Sequence, residues 1–336
     1  MKKLLNSLYL SKQGCYLHIE RETIVIEYEK TKLAQFPIHA IGGIFCFGNI
    51  LVSPYVYRIC GEYGVALSFF SEYGDFFARM QTRQTGNILL RRAQYKVSET
   101  NPVLIARNIA AAKISASRRV LQRQIRNRGD DPDLENAVNL LKLSVLRLAE
   151  VKELDVVRGI EGEAALRYFE VFNNLITNKE FVFNGRNRRP PIDPVNAMLS
   201  FVYAIIGRDI AAALQGVGLD PQAGFLHADR SGRDSLALDI LEEFRAWFAD
   251  RLVLSLINRK QVKLSDFTVE ASGAVRLSDE ARKLLLNSIQ ERKQENIIHP
   301  FIAEETPVGL LPHLQAQLLA RHIRGDIKEY PPFLAR

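Results

Sequence analysis

Residues Gly218 to Arg245 read GLDPQAGFLHADRSGRDSLALDILEEFR. One histidine, His227, stands just ahead of a helix whose apolar residues are Leu236, Leu238, Ile240, Leu241, Phe244 and Trp247. Asp239 and Glu242, three residues apart, project from neighbouring positions on one side of that helix. Carboxylates beside a core-forming stripe are costly unless something cationic sits with them. Two readings compete. In one, the acids lie on a solvated helix face and the histidine is a chance neighbour. In the other, imidazole and carboxylate ligate a divalent metal ion, and a third ligand comes from elsewhere in the chain.

The whole chain has 336 residues, enough for two domains. Hydrophobic residues make up 47% and charged residues 25%, so there is ample material for a globular core. Lys and Arg number 45 against 38 Asp and Glu, a formal charge of +7 that fits a nucleic-acid partner without requiring one. Cys15, Cys46 and Cys60 are odd in number and lack CxxC spacing. That argues against a disulfide framework or a zinc ribbon, and for reduced thiols in the cytoplasm. The start, MKKLLNSLYL, has too short an apolar run for a signal peptide. The apolar region Phe36 to Tyr57 is broken by His39, Gly42, Gly43, Gly48, Asn49 and Pro54, so it reads as short buried strands rather than a membrane span.

Taken in order, residues 1–90 form a β-rich domain. CYLHIE and ETIVIEYE are strand patterns around a tight turn at Arg21-Glu22, and a short helix is expected near Val52 to Tyr63. A connection is placed at 91–101, before Asn101-Pro102. From 102 to 336 the periodicity is helical. The first long helix, Pro102 to Gly129, carries Arg118, Arg119, Arg123, Arg126 and Arg128, a face that is either solvated or in contact with phosphates. Asp131-Pro132 starts the next helix, and a third spans Leu154 to Asn178. In that third helix Gly159 and Gly162 flank Glu161, which suggests a close neighbour there. Arg186, Arg188 and Arg189 cluster in a loop suited to phosphate contact. Asp193-Pro194 then caps a strongly apolar helix that contains Asn196 and Tyr203 and is central to its domain.

Four blocks in this order, RGIEGEAALRYF, RNRRPPIDPVNAMLSFVYA, GLDPQAGFLH and SLALDILEEFR, resemble those of the CRISPR-associated integrases that capture new spacers, the Cas-one family. The similarity covers most of the chain. It implies an α+β protein: a β-rich, sandwich-like N-terminal domain followed by a larger all-α domain that carries a metal site. It implies Glu161, His227 and Glu242 as catalytic ligands of Mg²⁺ or Mn²⁺, with Asp239 supporting the site. Family members end the ligand set with Asp or Glu, and here the residue is Glu. Asn196, Tyr203, Arg188 and Arg189 match positions near the site.

The resemblance further implies a homodimer, a small ferredoxin-like partner of the Cas-two family, double-stranded prespacer and array DNA as substrates, and no membrane. Pairing of β-domain edge strands would form the dimer. The chemistry is phosphodiester transesterification, in which a DNA 3′-hydroxyl displaces a 3′-oxygen at phosphorus. Lack of a cysteine ligand argues against structural zinc. Arg118, Arg119, Arg123 and Arg186, with Arg188 and Arg189, are expected to bind DNA backbone without reading bases. The alternatives are a hydrolytic metal-dependent DNA nuclease of repair or recombination type, and a non-enzymatic DNA-binding scaffold whose acids are structural.

Overall fold

The computed structural model describes residues 6–70, 76–80, 88–187 and 190–334. It resolves into two compact units. One is Met1–Thr85 with Asp279–Asn296 and Pro307–Leu311. The other is Gly86–Ser278 with Ile297–Thr306 and Pro312–Arg336.

The first unit holds two four-stranded sheets. One has β1 (Asn6–Leu10), β5 (Ile41–Phe47), β7 (Ala66–Phe70) and β8 (Phe76–Arg79), in that spatial order. The other has β4 (Thr31–Pro37), β3 (Thr23–Tyr28), β2 (Tyr16–Glu20) and β6 (Leu51–Val52). β2 and β3 pair antiparallel from Tyr16↔Glu27 to Glu20↔Thr23, and the turn between them places Arg21 at φ 57°. Leu17, Ile24 and Ile26 from one sheet, with Ile44, Cys46 and Leu67 from the other, enter one buried core together with Val56, Ile59 and Cys60 of α1 (Pro54–Tyr63). All three cysteines are buried free thiols. Burial pushes the Cys46 and Cys60 thiols up to about 12, so they act as packing residues. β4 is exposed along almost its whole length and is an edge strand of its sheet.

The second unit is helical. Its elements are α2 (Ile88–Thr100), α3 (Val103–Arg128), α4 (Pro132–Leu148), α5 (Leu154–Glu170), α6 (Pro194–Val217), α7 (Ser235–Glu242), a π-helical turn (Arg245–Asp250), α8 (Arg251–Asn258) and α10 (Leu311–Ile323). α9 (Asp279–Gln294) belongs to the first unit. β9 (Phe267–Val269) and β10 (Val275–Leu277) form a small antiparallel hairpin. α3, α4 and α5 pack on one another, α6 packs on α7 and β10, and α3 also meets α7 and the π turn.

Local signals explain the starts of α4 and α6. Asp131 accepts from the N–H groups of Asp133 and Leu134, and Asp193 accepts from that of Asn196, each with proline in the first turn. α6 is apolar and long enough to cross a membrane by composition alone. Thirteen of its 24 residues, among them Met198, Leu199, Val202 and Ile206, are buried in this unit, so it is a core helix.

Three expectations are corrected. The 91–101 stretch is helical from Ile88 to Thr100, because Leu90 and Gln94 supply a buried side. The third helix stops at Glu170 and gives way to a 3-10 turn, Phe172–Leu175. Gly159 and Gly162 are solvent-exposed, and an added Cβ at either would meet nothing within 4 Å, so no close neighbour explains them.

Candidate active site

Six segments of the helical unit line one cavity of about 370 Å³. α3 contributes Lys113 and Ser117, and α5 contributes Glu161, Ala164, Ala165, Tyr168 and Phe169. Arg186 comes from the loop before α6, Tyr203 from α6 and His227 from the GFLH loop. Glu242, Arg245, Ala246 and Asp250 come from the end of α7 and the π turn. Glu161, His227 and Glu242 thus share one cavity although 81 positions separate the first from the last in sequence.

His227 is held from behind by Asp239. That carboxylate is fully buried and accepts four hydrogen bonds. They come from the N–H groups of Phe225 (2.6 Å), Leu226 (3.0 Å) and His227 (2.8 Å), and from the His227 ring at Nδ1 (2.7 Å). The loop is a nest of amides wrapped on one anion. It closes only because residue 224 is glycine: a Cβ there would lie 2.7 Å from the His227 carbonyl oxygen and 2.9 Å from Ser235 Cβ. From α5, Arg158 Nε donates to the Leu226 carbonyl at 2.7 Å and braces the same loop. With Nδ1 engaged, Nε2 lies 3.7 Å from Glu242 Oε1. A carboxylate that orients imidazole in this way also raises its strength as a ligand or base.

The cation demanded by the acids is supplied by the protein. The Lys113 ammonium pairs with Glu161 Oε1 and, at 2.9 Å, with Glu242 Oε2; Arg245 Nε lies 3.2 Å from Glu242 Oε1. Burial pushes the Glu242 carboxyl up, but Arg245, Lys113 and His227 outweigh it and hold the group below its ordinary value. Burial pulls Lys113 down, and Glu242 and Glu161 reverse the sign, so it stays charged.

Behind this layer lies a second network. Asp250 accepts from the hydroxyls of Tyr203 and Tyr168, the latter at 2.9 Å. Arg245 lies over the Tyr203 ring at 4.5 Å and Arg186 at 5.3 Å, so one aromatic plate carries two guanidiniums. Burial lifts Asp250 to about 6 despite its two tyrosine donors and the nearby arginines. The ordinary value is 3.8, so the folded protein holds that proton more tightly than the unfolded chain. The resulting stabilisation is complete below pH 3.8 and is lost as pH rises through about 6. Asp250→Asn should therefore remove a slope worth about 3 kcal/mol across that window, measured by urea unfolding at a series of pH values. An unchanged slope would contradict the assignment.

The supporting residues fall in different places. Tyr203 lines the cavity, whereas Asn196 is fully buried behind it. Asn196 Oδ1 accepts from Arg186 Nη1 (2.6 Å) and from the Asn187 N–H (3.1 Å), and its Nδ2 donates to the Gly185 carbonyl (2.8 Å). Arg186 therefore lines the cavity wall. Arg119 and Arg123 are exposed on α3, and Arg118 is half-buried there. Arg188 and Arg189 lie outside the described residues.

Among the described residues no three His, Cys, Asp or Glu side chains are arranged to hold a metal ion as they stand. The physical reason is Lys113, whose ammonium already bridges the two acids. The donor chemistry nonetheless fits a divalent cation. Two carboxylates and an oriented imidazole face one cavity, and the buried Glu242 Oε2 makes no hydrogen bond beyond its ion pair. Sequence reading missed Lys113, Arg245, Asp250 and Tyr168. A lone lysine in the small, apolar run IAAAKISA was the available signal for the first, and the i, i+3 spacing from Glu242 for the second. Nothing local marks the other two.

The family model described as CRISPR associated protein Cas1 matches residues 8–291. A relative from Chlorobaculum tepidum, named CRISPR-associated endonuclease Cas1 1, is 49% identical over 343 aligned positions, covering 100% of both chains. Among solved structures, a casposase bound to integration product superposes with a TM-score of 0.83 at 22% identity, covering 98% of this chain and 94% of that one. A Cas6-RT-Cas1–Cas2 complex gives 0.81 at 21% identity, covering 99% of this chain and 36% of that one. These two likenesses concern the fold. The family match and the full-length relative go further, and together with the four sequence blocks that converge on one cavity they make this chain a member of the Cas1 family of CRISPR-associated proteins.

Proposed function

We propose that this protein is a metal-dependent DNA integrase and endonuclease of CRISPR adaptation, which joins prespacer 3′-hydroxyl ends into the CRISPR array. The observation that carries this reading is the single cavity in which Glu161, His227 and Glu242 meet Lys113, Arg186 and Arg245. In the reaction one P–O bond forms from the attacking 3′-oxygen as the bond to the expelled 3′-oxygen breaks, so the number of phosphodiester bonds is unchanged. What the protein must supply is fixed positive charge where the phosphate oxygens gain negative charge. Arg186 and Arg245 meet that need: Arg186 is tied by Asn196, and both are held over Tyr203. Asp239 fixes the imidazole, which removes a rotation that would otherwise have to be frozen during reaction.

Glu161, His227 and Glu242 are the residues that would hold Mg²⁺ or Mn²⁺, and Asp239 would support them. Such an ion, when bound, polarises the phosphate and stabilises its charged oxygens. The exposed Arg119 and Arg123 extend the basic surface along α3 for duplex backbone. A neighbour solved as a Cas1–Cas2 complex and another bound to an integration product support DNA and a small Cas2-type subunit as partners. The β4 edge, with Leu33 and Phe36 exposed, supports pairing with a second copy. Buried free thiols support a reducing, cytoplasmic setting.

The test is a labelled prespacer incubated with array DNA in Mg²⁺, Mn²⁺ or EDTA, with and without the small subunit. The expected result is a covalently joined product that requires metal. Cutting without joining would favour the hydrolytic nuclease, and binding with neither would favour the scaffold.

A further inference from the structure

The turn that carries Glu242 and Arg245 has a second face. Glu242, Arg245, Ala246 and Asp250 look into the cavity, whereas Glu243, Phe244 and Trp247 meet the final residues of the described chain. Glu243 is fully buried, and its carboxylate has three partners. It accepts from the Tyr330 hydroxyl (2.6 Å), the Phe333 N–H (2.7 Å) and Gln315 Nε2 (2.9 Å). Two of those three donors belong to one short terminal segment. The Phe333 ring stacks on Phe244 (5.3 Å between centroids, 17° between planes) and meets Trp247 edge-on (4.9 Å, 73°). From α3, Asn108 Nδ2 donates to the Tyr330 carbonyl at 2.9 Å, five residues before Lys113.

The backbone at this point needs holding. α7 ends at Glu242, and the chain widens at once into the π turn, where the N–H groups of Phe248 and Ala249 both reach the Phe244 carbonyl (2.8 and 3.3 Å). π turns are rare, and a slip to ordinary α geometry would rotate Arg245 and Asp250 away from the cavity. A buried carboxyl group whose donors come largely from one segment makes that segment hard to lift without leaving its oxygens unsatisfied.

We infer that Tyr330–Phe333 is a positioning strap for the reaction: seated on Glu243, Phe244 and Trp247, it fixes the register that aims Glu242 and Arg245 into the cavity. The joining readout of this inference rests on the proposed integrase activity. Trp247 is the only tryptophan in the chain, so its emission reports directly on the strap.

The experiment compares full-length wild type with Tyr330→Phe, Phe333→Ala and the double variant Glu243→Gln/Tyr330→Phe. It follows Trp247 emission, the circular-dichroism melt, Mn²⁺ affinity by electron paramagnetic resonance, and joining. Tyr330→Phe keeps the ring and deletes only the hydroxyl that Glu243 needs. It should shift Trp247 emission, weaken Mn²⁺ binding about ten-fold and lower kcat for joining about ten-fold, with KM for DNA within about two-fold and a cooperative melt. Phe333→Ala should do the same more strongly. In the double variant the carboxyl group left short of a donor is gone, so its loss should be smaller than that of Tyr330→Phe alone. Wild-type kcat and Mn²⁺ affinity in a folded Tyr330→Phe would overturn the inference, and so would a kcat loss with unchanged Trp247 emission. If wild type itself fails to join DNA, the integrase reading fails, and the emission and Mn²⁺ arms still decide the strap.

Discussion

Glu242→Gln should abolish DNA joining, with a loss on the order of 10³-fold or more, while the protein remains folded and still binds DNA. Glu242 is 3% exposed and is the hub of the cavity: Lys113 lies at 2.9 Å, Arg245 at 3.2 Å and His227 at 3.7 Å. Glutamine keeps the shape and the volume but removes the charge. It leaves Lys113 paired with Glu161 and Arg245 resting on Tyr203, so neither cation is abandoned. For that reason a lowered melting temperature rather than loss of folding is expected, and the amide is a better probe than alanine. Glu161→Gln should give a loss of the same order. Joining, melting and DNA affinity, all measured on the same preparations, form the check. If either amide variant joins DNA at near wild-type rates, the cavity is not the reaction site.

Lys113→Met is the second large effect, and its size depends on metal. In the wild type the ammonium neutralises two acids that share one cavity. A buried cluster that loses one partner is destabilised by about 3–5 kcal/mol, because the remaining charges stay desolvated. In EDTA, therefore, Lys113→Met should melt well below wild type. Added Mn²⁺ should close much of that gap, because a divalent ion offers the acids the cation they have lost. The wild type should respond less, since its own ammonium already satisfies them. Thermal melts with and without Mn²⁺ test this. An equal Mn²⁺ response in the two proteins would mean that Lys113 and the metal do not compete for the same carboxylates.

What could be seen in the sequence follows the range of the interactions. Asp131-Pro132 and Asp193-Pro194 announce their helices because a cap acts within three residues. The apolar run of α6 announces a core helix for the same reason, and Asp239 and Glu242 share a side through simple helical spacing. Lys113 precedes Glu161 by 48 positions, and nothing near it records that they will touch. The π turn was also invisible, since its cause includes an aromatic stack with Phe333, about ninety residues away. The basic cluster of Arg186, Arg188 and Arg189 is legible as a phosphate-contact loop, but the direction in which Arg186 turns is not, because the fully buried Asn196 that holds it lies ten residues on. The glycines beside Glu161 misled: they sit on an open helix face where no neighbour asks for them.

The sealed thiols of the β-rich unit have a practical corollary. Cys15, Cys46 and Cys60 are 2%, 0% and 0% exposed, and at least Cys46 and Cys60 hold their protons far above neutral pH. Alkylating dyes attack thiolates, so the native chain should stay nearly dark under brief maleimide treatment at neutral pH. A single cysteine engineered at an exposed position such as Leu51 would then carry the label alone, without any background to mutate away.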